Sequence, residues 1–143
     1  MSILKLADNL YVSPQLTQAD VQEAAKLGIQ SVICNRPDGE EDSQPVFSEV
    51  QQWLEAAGIS HSLQQPVVAP QINAEDIARF KQLRESTPAP VLAYCRTGTR
   101  SSLLWGYDQA ANGTPVAEIM AAAQAAGIDL GNFAERLEAA AKA

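Results

Sequence analysis

Short alternating apolar runs and stretches with apolar residues at helical spacing take turns along the chain. Ile3-Leu4-Lys5-Leu6 and Leu10-Tyr11-Val12-Ser13, separated by Ala7-Asp8-Asn9, read as two strands joined by a tight turn. Thr17 offers an N-cap hydroxyl with Asp20 three residues on. Val21, Ala24, Ala25 and Leu27 then form a stripe that ends at Gly28, which predicts a first helix. Ile29 to Asn35 is β-rich and mostly apolar, hence a buried strand, and it runs into the charged loop Arg36-Pro37-Asp38-Gly39-Glu40-Glu41-Asp42. A second helix follows from about Pro45 to Ala57, closed by Gly58. Ile59 to Leu63 is a weaker strand, and Asn73 caps a third helix over Ala74 to Glu85 that Pro88 and Pro90 stop. Val91-Leu92-Ala93-Tyr94 is a short apolar strand, Cys95 to Arg100 a polar loop, and Ser101 to Asn112 a helix followed by Gly113. Two more helices are expected, Pro115 to Ala126 and about Asn132 to Ala141.

Strands and helices alternating at these spacings predict an α/β domain whose mainly parallel central sheet is flanked by helices and opened by a β-hairpin. With no internal repeat and no linker, residues 1–143 are expected to form a single domain. Ligands of such sheets bind at the C-terminal ends of strands. The loops after Asn35 and Tyr94 both leave from such ends, so they are expected on one rim.

Charge sharpens that expectation. Asp and Glu number 17 against 10 Lys and Arg, a net charge of −7, which disfavours a nucleic-acid partner. Yet three of the six arginines, Arg36, Arg96 and Arg100, fall on the two rim loops, which predicts a pocket for a small anion. No apolar run approaches the ~20 residues of a membrane helix and the start lacks a signal-peptide layout, so a cytoplasmic protein without a membrane partner is expected. Two cysteines 61 positions apart and a solitary His61 do not make a four-ligand zinc site; neither a metal nor a cofactor is expected.

The candidate chemistry lies in Cys95-Arg96-Thr97-Gly98-Thr99-Arg100-Ser101, where a cysteine ends a strand and a helix begins. Backbone N–H groups there have no helical acceptors and converge, while the helix dipole adds positive potential. Gly98 supplies the freedom to wrap the loop. A sulfur in that cup, with Arg100 at its rim, favours thiolate over thiol and so serves as a nucleophile toward an anion's central atom. Cys95, Arg100 and Ser101 are the expected catalytic residues, Ser101 by hydrogen bonding to the thiolate. Arg96, Thr97, Gly98, Thr99 and Arg36 are expected to bind substrate, although Arg36 could equally pair with the carboxylates of its own loop.

This loop resembles the active loop of rhodaneses, in which a cysteine carries a persulfide, and also the phosphate loop of protein tyrosine phosphatases. The order of elements is similar to that of a compact dual-specificity phosphatase. Over essentially its full length the chain resembles a small bacterial family, the phosphatase-like domains of beta-lactamase hydrolase-like proteins. The resemblance rests on Leu10-Tyr11-Val12-Ser13-Pro14-Gln15-Leu16, on Cys34-Asn35-Arg36-Pro37-Asp38 and on the stretch from Tyr94 to Ser101. Some members of that family are fused to a metallo-beta-lactamase-type domain associated with persulfide oxidation. The resemblance therefore implies a persulfide-oxidising partner or a thiol acceptor.

Three departures from the phosphatase pattern point toward sulfur. Only Arg96 to Thr99 separate Cys95 from Arg100, where phosphatases place five residues; Tyr94 stands where they have His; and Gln64 to Asn73, the usual source of a general acid, holds no carboxylate. A tighter loop with one N–H fewer suits a single sulfur atom, and thiosulfate or a persulfide needs no acid to depart. The expected activity is thus a sulfurtransferase, moving sulfane sulfur from thiosulfate or a persulfide to a thiol or cyanide through a Cys95 persulfide. Two alternatives stay open: a cysteine-dependent phosphatase of phosphate esters, with Asp38, Glu40 or Glu41 as general acid, and a non-catalytic anion-binding module. Cys34 reads as a small core residue, with a resolving thiol as the alternative. His61 is expected to be structural or exposed, and Trp53 and Trp105 to pack in the core.

Overall fold

A computed structural model describes residues 2–142 and places five strands and six helices in the expected order among them. β1 (Leu4–Ala7) and β2 (Leu10–Ser13) pair antiparallel across a turn where Asn9 takes a φ of 60°. With β3 (Ser31–Cys34), β4 (His61–Gln64) and β5 (Val91–Tyr94) they form one sheet in the order β1-β2-β5-β3-β4. Every pairing after the first is parallel. The last residues of β2, β5 and β3 are level, since Tyr94 sits opposite both Ser13 and Cys34. Pro14, Cys95 and Asn35 therefore leave the sheet side by side, and the two charged loops share a rim.

Strand periodicity decides which side chains meet which helices. Val32, Cys34, Leu92 and Tyr94 point to one face, where α1 (Gln18–Lys26) and α2 (Phe47–Ala56) bury Val21, Ala24, Val50 and Leu54 against them. Ile33, Val91 and Ala93 point to the other, under α3 (Ala74–Ser86), α4 (Thr99–Ala111), α5 (Val116–Ala125) and α6 (Ala134–Lys142). α4 is the centre of that layer, buried from Ser101 through Tyr107. Gly106 lets its neighbours approach: a Cβ there would stand 3.1 Å from Ile119 and 3.3 Å from Leu137.

Local chemistry sets the ends. Thr17 with Asp20, and Asn73 with Asp76, form reciprocal capping boxes at the starts of α1 and α3. The expected strand from Ile29 shortens at its start because Ile29 N–H returns to Ala24 O at the end of α1. The last helix begins at Ala134 rather than Asn132, after a 3-10 turn over Gly131–Phe133 whose first N–H is taken by Asp129 Oδ1 at 2.8 Å. α4 starts two residues earlier than expected, at Thr99, because Gly98 serves as its N-cap in the left-handed region. Among the described residues no helix is long and apolar enough to cross a membrane.

Candidate active site

Cys95 stands at the end of the central strand and is fully buried. The N–H of Gly98 donates to its Sγ at 3.1 Å. That contact needs the backbone turn at Gly98, whose φ is +91°; a Cβ there would come within 2.7 Å of Ile128 Cδ1. The outer side of the loop is pinned by Gln15 N–H donating to Arg96 O at 3.2 Å. Thr97 and Thr99 share a hydrogen bond between hydroxyls at 2.9 Å on the exposed side. The sulfur thus lies below the first turn of α4, where free N–H groups and the dipole favour an anion.

Arg100 comes from that first turn. Its NH1 donates to Glu40 Oε2 at 2.7 Å and to Val67 O at 3.0 Å, and its NH2 donates to Glu40 Oε1 at 2.9 Å. The hydrogen bond to Glu40 is the main influence that pushes the Arg100 pKa up against burial, and the nearby Cys95 sulfur adds to it. Glu40 is held down to about 2, first by that bond to Arg100 and further by Arg36, while desolvation opposes. Arg36, only 3% exposed, donates from Nε to Glu40 at 2.9 Å, from NH1 to Gln15 at 3.0 Å and from NH2 to Glu41 at 2.9 Å. Arg96, well exposed, reaches Glu41 from Nε at 2.8 Å. Glu40, Glu41, Arg96 and Arg100 line a rim cavity of about 370 Å³.

The expected site residues are brought together, but four take different partners from those the sequence suggests. Ser101 donates its proton to Asn35 Oδ1 at 2.7 Å rather than to the Cys95 sulfur. Arg36 is no open contact for substrate; its guanidinium is spent on Glu40, Glu41 and Gln15, the pairing that sequence left as the alternative. Asp38 accepts from Phe47 N–H at 2.8 Å, supplying the cap that Val46 lacks at the start of α2, and Glu40 is an ionised partner of arginine. Neither carboxylate is turned toward the Cys95 sulfur as a proton donor would be: Asp38 is taken by Phe47 N–H and Glu40 by Arg36 and Arg100. Cys34 is a core residue: it is 2% exposed, its thiol donates to Arg36 O at 3.3 Å, and burial pushes its pKa up. Burial likewise pushes up the Tyr94 phenol beside it. His61 lies exposed on β4, while Trp105 is buried and Trp53 partly so.

Asn35, Gln15 and the Val67 carbonyl belong to the site and escape sequence reasoning. Asn35 is fully buried and, besides accepting from Ser101, donates from Nδ2 to Gln65 O at 3.0 Å. A polar residue closing a run of apolar strand positions is the signal that could have found it. Among the described residues no group of three or more His, Cys, Asp or Glu could hold a metal ion.

A buried cysteine between the central strand and a helix that carries an arginine in its first turn, on this sheet order, is the arrangement of a phosphatase-like fold. The chain belongs to the family of phosphatase-like domains of beta-lactamase hydrolase-like proteins, whose model matches residues 3–112. It is 32% identical over 139 residues to a beta-lactamase hydrolase-like protein of Xylella fastidiosa strain 9a5c, covering 96% of this chain and 32% of that one. The chain spans about a third of the length of the curated relatives it matches. Among solved structures, a candidate phosphatase of Neisseria meningitidis Z2491 is 57% identical and superposes with a TM-score of 0.96 over 98% of this chain and 99% of that one. TpbA of P. aeruginosa, solved with phosphotyrosine, shares the fold with a TM-score of 0.65 at 18% identity, over 99% of this chain and 90% of that one.

These findings overturn the sulfurtransferase expectation. Both the family and the 57% identical structure are of the phosphatase kind. The persulfide-oxidising or thiol-acceptor partner has no support once that expectation falls. The physical error lies in taking spacing along the chain as a measure of the cup. What matters is where the donors point, and a loop of four intervening residues still turns Gly98 N–H onto the Cys95 sulfur and sets Arg100 in the first turn of α4.

Proposed function

We propose that the chain is a cysteine-dependent phosphatase that hydrolyses phosphomonoesters through a phospho-Cys95 intermediate. The observation that carries this reading is the Gly98 N–H donated to the fully buried Cys95 sulfur at the start of α4, with Arg100 in the first turn of that same helix. In the first step Sγ attacks phosphorus in line; the S–P bond forms while the ester P–O bond breaks, and the leaving oxygen keeps the electron pair. Water then attacks phosphorus, the P–S bond breaks with its electrons returning to sulfur, and inorganic phosphate departs. Loop N–H groups from Arg96 to Arg100 and the Arg100 guanidinium stabilise charge on the equatorial oxygens. Arg96, exposed on the rim, draws the dianion in. Ser101 and Asn35 hold the first turn of α4 against the end of β3.

The commitments of Asp38 to Phe47 and of Glu40 to two arginines favour esters whose leaving group departs without a strong acid. Aryl phosphates fit that description, and the phosphotyrosine complex of TpbA points the same way. The test is turnover of p-nitrophenyl phosphate. The wild-type chain is expected to hydrolyse it and Cys95→Ser to lose roughly 10³-fold or more. Equal rates in the two proteins would refute the reading.

A further inference from the structure

Arg100 carries five N–H donors, and three of them are already committed. Both NH1 hydrogens go to Glu40 and Val67, and one NH2 hydrogen goes to Glu40. What remains is Nε–H and the second NH2 hydrogen, which together form one edge of the fork. A guanidinium binds a phosphoryl group best through two parallel donors on one edge. Glu40 is itself fixed from below, since Oε1 also accepts from Arg36 Nε, and the buried Arg36 is held by Gln15 and Glu41 as well.

We infer that Glu40 is a positioning residue: by gripping the NH1–NH2 edge of Arg100 it aims the Nε–NH2 edge at the phosphoryl group, with Arg36 as the fixed post behind it. The inference rests on the phosphatase reading and deepens it. The carboxylate of Glu40 adds repulsion toward a bound dianion, so its benefit belongs to the transition state rather than to ground-state binding. Glu40→Gln removes the charge and replaces one acceptor by a donor that faces arginine, so the fork swings free.

The experiment measures kcat and KM of wild type, Glu40→Gln, Glu40→Asp, Arg100→Lys and the double variant Glu40→Gln/Arg100→Lys on p-nitrophenyl and phenyl phosphate. Glu40→Gln is expected to lower kcat roughly 10- to 100-fold, with KM unchanged or lower. The loss is expected to be equal for the two esters, partly restored in Glu40→Asp, and nearly absent when Arg100 is already Lys, which has no fork to aim. A loss that grows with the more basic phenol would make Glu40 the general acid and overturn the inference. So would an unchanged kcat with a lower KM, which would make Glu40 a mere occupant of the anion site. A cost that is the same in both backgrounds would reduce Glu40 to a structural residue. Titration with orthovanadate separates this from failure of the phosphatase reading. If wild type turns over neither ester, that reading fails; Glu40 then stands on a roughly 10-fold loss of vanadate affinity in Glu40→Gln and falls if affinity is kept.

Discussion

Single side chains knit the rim together. Asn35 joins β3, the segment after β4 and the first turn of α4 through its bonds to Gln65 O and Ser101. Glu40 joins the two charged loops and carries a consequence for stability. Its carboxyl lies near 2 in the folded chain, below the ordinary 4.5, chiefly because of Arg100. A depressed carboxylate contributes stability that is full above about 4.5 and is lost as pH falls toward about 2. Urea midpoints measured down through that window are expected to fall more steeply for wild type than for Glu40→Gln; parallel curves would contradict the pairing. Cys95, Arg96 and Arg100 were legible because they sit within one short loop. Asn35, Gln15 and Val67 were not, because their partners Ser101, Arg36 and Arg100 are 66, 21 and 33 positions away. Contacts of that kind depend on how the strands are ordered in the sheet, which no local pattern states.

Elements were more legible than contacts. The apolar run Val91-Leu92-Ala93-Tyr94, and the boxes Thr17 with Asp20 and Asn73 with Asp76, are signals contained in a few neighbouring residues. α4 starts two residues before the position its sequence suggests, because Gly98, which looks like a residue that only frees the loop, is the cap of the helix. That junction is where element and chemistry meet, since the same turn aims Gly98 N–H at Cys95 Sγ. Gly98→Ala is therefore expected to cost about 1–2 kcal/mol, the penalty of a left-handed L-residue, and to reduce turnover of the protein that still folds. Chemical denaturation with a parallel activity assay measures both. Wild-type stability with wild-type activity would show that the turn is not needed.

At the scale of the molecule, a chain of net charge −7 gathers Arg36, Arg96 and Arg100 at the one rim where three strand ends come level. The sheet order explains why. β5 lies between β2 and β3, so Cys95 leaves from the centre and is flanked by Gln15 and Asn35. Glu40 and Glu41 on the adjoining loop offset the arginines and line a rim cavity together with Arg96 and Arg100. In the longer relatives this unit makes up about a third of the protein, so its chemistry is to be measured on the chain by itself. The most direct measurement is the intact mass of the chain mixed with p-nitrophenyl phosphate and quenched in acid during turnover. The account predicts a single phosphoryl group, mapped to Cys95 and missing from Cys95→Ser. Turnover by a protein that never carries phosphate on Cys95 would contradict it.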